Sequence, residues 1–97
     1  MIEVRRTDDG DPVAFEVIVR EGGGETRHQV TASRETCARL TRGEHEPGRL
    51  IEAAFRFLLD REAKESILGR FDVTVISRYF PEFARELPKY LTTDDRR

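Results

Sequence analysis

Apolar positions along the chain follow two different periods, and the change between them falls near Ser33. The clearest helical period lies at residues 47–62. There Leu50, Ile51, Ala54, Phe55, Leu58 and Leu59 recur at i, i+1, i+4, i+5, i+8 and i+9, which lines them along one side of a helix. Ala53 and Phe57 widen that side, and only Glu52, Arg56 and Asp60 form a polar ridge. An apolar arc this broad must be covered from more than one direction. Pro47 suits the first turn, where its missing N–H has no partner to lose. The spacing predicts a central helix from Pro47 that ends near Ala63.

Before Ser33 the period is two. Ile2 and Val4 alternate with charged neighbours, and residues 7–12, TDDGDP, supply turn chemistry. Val13, Phe15, Val17 and Val19 then share one face, with Glu16 and Arg20 on the other. Gly22-Gly23-Gly24 reverses the chain into a third strand whose Thr26, His28, Val30 and Ala32 share a face. The glycine run lacks the lysine and the helix start of a phosphate loop, so it reads as a hairpin turn. These features predict a three-stranded antiparallel meander. Ser33 is a suitable N-cap for a short helix over 34–41, with Cys37 and Leu40 on its inner side and Gly43 as its stop.

After the central helix, residues 64–69 read as another short helix ending at Gly69. Asp72 caps a helix over 73–80 despite its β-branched run, and a kinked or fresh helix from Pro81 carries Phe83 and Leu87 and closes at Pro88. Residues 92–97 are polar and predict a frayed tail. The element order is α+β: one domain over 1–97, with the N-terminal meander packed on a C-terminal cluster of four or five helices and the central helix as the wall between them.

Composition then narrows the chemistry. The chain has 97 residues and a formal net charge of −2. Basic and acidic residues number 7 and 10 before Pro47 and 10 and 9 from it onward, so neither half has the positive excess that phosphate neutralisation requires. Cys37 is the only cysteine, which rules out an intramolecular disulfide and points to a reducing cytoplasm. No apolar leader and no run long enough to span a membrane is present in the sequence, so neither secretion nor membrane insertion is expected. Cys37 with His28 or His45 would supply a nucleophile and a base, but its place beside Leu40 favours a core thiol. Two histidines and one cysteine make no zinc spacing. Asp8-Asp9-Asp11 and Asp94-Asp95 sit in a turn and a tail, where carboxylates are solvated rather than catalytic. The expectation is a non-enzymatic protein without cofactor or metal.

Lys64 to Phe80, KESILGRFDVTVISRYF, resembles the helix-turn-helix motif of bacterial repressors through Ile67, Phe71, Val73, Thr74, Ile76 and Arg78. It departs from that motif in having a single residue between Thr74 and Ile76. The resemblance implies a nucleic-acid-binding regulator, with Arg70, Arg78 and Arg85 as phosphate or base contacts and Ser77 as a phosphate contact. The charge balance favours another reading. Large apolar residues after Pro47 exceed what three short strands would cover, which suggests a small cytoplasmic, bacterial-type interaction or regulatory domain. A protein partner or a second copy would then dock on Phe57, Tyr79, Phe80 and Phe83. Phe57, beside Arg56 near the edge of the arc, is the residue that separates a self-contained core from half of an interface.

Overall fold

Strands β1 (Ile2–Asp8), β2 (Val13–Glu21) and β3 (Gly24–Ala32) form the expected antiparallel meander in the computed structural model, which describes residues 1–92. Gly22 and Gly23 make the two-residue turn between paired Glu21 and Gly24 with φ of 66° and 80°, a region that residues with a Cβ seldom adopt. Val13, Phe15, Val17 and Val19 of β2 are buried together with His28, Val30 and Ala32 of β3. Ile2 and Val4 extend this inner face, opposite Val19 and Val17.

The sheet has four strands rather than three. Strand β4 (Arg70–Asp72) lies beyond β3 and parallel to it, with Phe71 opposite Val30 and Asp72 opposite Thr31. Parallel neighbours require a long crossover, and helices α1 (Arg34–Thr41) and α2 (Pro47–Leu59) supply it. The Ser33 hydroxyl accepts from the Thr36 N–H at 3.0 Å, which fixes the start of α1. Helix α2 covers its whole apolar pattern but stops at Leu59, short of the expected end near Ala63; next to it the Asp60 carboxylate accepts from the Tyr90 hydroxyl at 2.6 Å. Its two internal aromatics point in different directions. Phe55 meets His28 and Phe71 at ring separations of 5.3 and 6.0 Å, against the sheet. Phe57 meets Phe83 and Tyr90 of helix α4 (Phe83–Thr92) at 5.0 and 5.8 Å.

Between α2 and α4 the expected helix over 64–69 is only a 3-10 turn, Lys64–Ser66. Residues 73–79 are helical rather than extended, as a second 3-10 turn, Val73–Val75, leading into the one-turn helix α3 (Ile76–Tyr79), and Phe80 leaves the helix. Pro88 lies inside α4 instead of closing it, and Leu91 beyond it is buried. Of the predicted tail over 92–97, Thr92 ends α4 and the rest lies outside the described residues. No helix among the described residues is long and apolar enough to cross a membrane.

The outer face of the meander carries a continuous chain of ion pairs. Arg5 pairs with Glu16 at 2.9 Å, Glu16 with Arg27 at 3.4 Å, Arg27 with Glu25 at 3.1 Å, Glu25 with Arg20 at 3.2 Å and Arg20 with Glu3 at 2.9 Å. Ile18 sits in this face opposite Glu3 and Arg27 and is nevertheless buried, because long charged side chains cover apolar surface with their aliphatic stems. Matched acids and bases leave the face without a net positive field.

Asp72 ties β4 in place. One carboxylate oxygen accepts from the Thr31 hydroxyl at 2.6 Å, and the other from the Thr74 hydroxyl at 2.7 Å and the Thr74 N–H at 3.1 Å. Burial works against its charge, but these donors outweigh burial and hold the carboxyl below its ordinary value of 3.8. A carboxyl lowered on folding stabilises the protein above its unfolded pKa and loses that contribution as pH falls through the folded value. Asp72→Asn is therefore expected to cost about 1–2 kcal/mol at pH 7. Urea unfolding of both proteins at neutral and strongly acidic pH checks this: the gap should narrow in acid, and an undiminished gap would contradict the role of the charge.

Candidate docking cleft

Where α2 ends, the chain folds back through the first 3-10 turn and β4 to α3, leaving a cleft of about 410 Å³. Leu58, Ile67, Phe71 and Ile76 line it and are buried, so they form its floor. Leu68, Tyr79 and Phe80 form apolar walls. Leu68 is 47% exposed and Tyr79 67%. With Met1, they are the exposed large hydrophobic residues among those described, and both border this one cleft.

A buried histidine positions the Leu68 wall. His28 Nδ1 lies 2.8 Å from the Leu68 carbonyl oxygen, and Nε2 lies 2.8 Å from the Thr26 hydroxyl. A carbonyl only accepts, so Nδ1 carries the proton and donates; in the neutral ring, Nε2 accepts from Thr26. The ring thus links β3 to the segment before β4 while packing on Phe55.

Glu62 and Ser66 are the polar members of the lining. Glu62 is half-buried, and its carboxylate has no hydrogen bond or ion pair among the described residues. The other half-buried carboxylates all have partners: Arg20 for Glu3, Arg5 for Glu16, Arg56 for Glu52, Thr31 for Asp72, Arg61 for Glu82 and Lys89 for Glu86. The basic residues near Glu62 in the chain are engaged elsewhere. Arg61 bonds Glu82 at 3.2 Å and stacks 3.7 Å from the Phe57 ring centre, and Lys64 pairs with Glu65 at 2.8 Å.

Of the four apolar residues expected to meet a partner, the structure brings only Tyr79 and Phe80 to the cleft. Phe57 and Phe83 are fully buried. Phe57 is enclosed by Phe80, Phe83 and Tyr90, with the Arg61 guanidinium across its face, so it joins α2 to α4 instead of facing outward. Leu68 and Glu62 were not legible as site residues. The reading of 64–69 as a helix hid Leu68, which the structure places in the loop before Gly69, whereas Glu62 is one acid among 19 Asp and Glu.

Residues 64–80 do not form a helix-turn-helix, because β4 separates the two 3-10 turns. Arg70 lies on β4, Ser77 and Arg78 on α3, and Arg85 on α4; all four are exposed, and Arg85 pairs with Glu86 at 3.6 Å. Helix α3 spans about 6 Å, one turn, which is too short to run along a major groove. Cys37 is buried and desolvation pushes its thiol up, away from the thiolate form. Among the described residues no three His, Cys, Asp or Glu side chains gather as a metal site. Comparison with protein-family models, curated proteins and solved structures found no match to the chain.

Proposed function

We propose that this chain is a non-enzymatic interaction or regulatory domain that docks a protein partner in the cleft between the end of α2 and α3. The observation that carries this reading is the concentration of exposed Leu68 and Tyr79 at the walls of a cleft with a buried apolar floor. Scattered apolar residues are ordinary on a protein surface, but their clustering around a concavity is characteristic of a binding site. Tyrosine suits such a wall because it offers a large contact area at low entropic cost. In this reading the domain works in a reducing cytoplasm, where Cys37 remains a buried thiol.

The nucleic-acid alternative draws less support, since its four candidate contacts sit on three different elements and the sheet face pairs its arginines with glutamates. Salt-sensitive retention on heparin would favour it. The docking reading is tested with Leu68→Ser/Tyr79→Ser. Both side chains are exposed, so the double variant is expected to unfold within about 1 kcal/mol of the wild type. It should lose the partner retained by the immobilised wild-type protein. Equal retention of that partner by both proteins would contradict the proposal.

A further inference from the structure

Building on the docking reading, we infer that the partner segment entering this cleft presents a lysine or arginine beside a large apolar side chain, with the cation pairing with Glu62. The cleft is apolar on its floor and walls, so an apolar group accounts for most of its occupancy. Its volume of about 410 Å³ is near the lower end for ligand sites, which suits one or two side chains of a docked segment. Glu62 supplies the direction of charge. It is half-buried without a partner among the described residues, while Arg61 and Lys64 are committed to Glu82 and Glu65. A carboxylate against a low-dielectric wall attracts a cation more strongly than one in open water and disfavours an acidic segment. Ser66 adds a hydroxyl that can bond the backbone or the side chain of the occupant. A second copy of the chain fits less well. The two exposed apolar residues here fall short of the extensive apolar surface that an obligate homodimer buries, and the chain's net charge of −2 makes self-association mildly repulsive.

The test uses the full chain, labelled with ¹⁵N, and three capped amphipathic peptides of about 15 residues. They share leucine and phenylalanine on one face and differ only at the position next to the phenylalanine, which is Lys, Gln or Glu. The Lys peptide is expected to shift the amide signals of Ile67, Leu68 and Ile76 and to bind about fivefold more tightly than the Gln peptide, with the Glu peptide weakest. Glu62→Gln should bring the Lys and Gln peptides to the same affinity. Equal binding of all three peptides in the cleft of the wild-type protein would overturn the charge rule and leave the docking reading standing. Shifts confined to residues outside the cleft would overturn both. Concentration-dependent shifts of the same amides in the protein alone would assign the cleft to a second copy and overturn a separate basic partner.

Discussion

Phe57→Ala is expected to destabilise the protein by about 3–5 kcal/mol, the usual cost of deleting a phenylalanine from a packed interior. The Phe57 ring is fully buried and shared among Phe80, Phe83 and Tyr90, while Arg61 covers its face and donates to the Phe57 carbonyl at 3.3 Å. Alanine would remove the ring contacts at once and leave Arg61 without its aromatic platform, loosening α4 from α2. Small domains are stable by only about 5–15 kcal/mol, so this change should bring the chain close to unfolding at moderate temperature. Phe57→Leu, which keeps much of the volume, should cost clearly less. Urea denaturation of the two variants separates a core role from an interface role. A loss below about 1 kcal/mol in Phe57→Ala, within the range of ordinary surface substitutions, would contradict the packing described here.

His28→Ala should be the next most damaging change, at about 2–4 kcal/mol, because it opens a void against Phe55 and leaves the Leu68 carbonyl without its donor. His28→Phe distinguishes the two contributions. It restores a ring against Phe55 but supplies no N–H, so the residual loss, about 1–3 kcal/mol, reports the unpaired carbonyl and the Thr26 hydroxyl. The polar link also has a local consequence. Hydrogen exchange of the Gln29 amide, which donates to the Gly69 carbonyl at 2.8 Å, should accelerate in His28→Phe beyond any global destabilisation. Unchanged protection there would mean that His28 does not hold this wall of the cleft.

The parts of the fold that were legible in sequence are those written in short-range periods. Val13, Phe15, Val17 and Val19 declare a half-buried strand, Gly22-Gly23 a tight turn, Ser33 a cap, and the arc from Leu50 to Leu59 a helix covered on two sides. Strand β4 was not legible because three residues carry no period and its partner lies far back in the chain: the Asp72 that reads as a local cap for Thr74 also accepts from Thr31. Pro88 argues locally for a helix end, yet buried Leu87 and Leu91 on either side continue α4 through it. Packing on α2 offsets the missing hydrogen bond.

The cleft was legible only in part, for similar reasons. Tyr79 and Phe80 stood out as large apolar residues, and both line it. Phe57 looked like an edge residue because Arg56 is its neighbour, but consecutive helical positions diverge by about 100°, so a charged neighbour says little about its own direction. The better local signal is Arg61, four residues on, where a guanidinium can lie over the ring one turn back. Glu62 could not have been singled out, because what distinguishes it is the lack of a partner among the described residues at half-burial, a property of the tertiary arrangement.

The central claim is that partners contact the cleft and not the sheet. It is tested most directly by replacing Tyr79, or alternatively Arg27 on the outer sheet face, with photoreactive p-benzoylphenylalanine and irradiating each protein in its native lysate. The expected result is a discrete protein adduct from position 79 that disappears when Leu68→Ser is added, with none from position 27. An adduct from position 27 with none from position 79 would contradict the account.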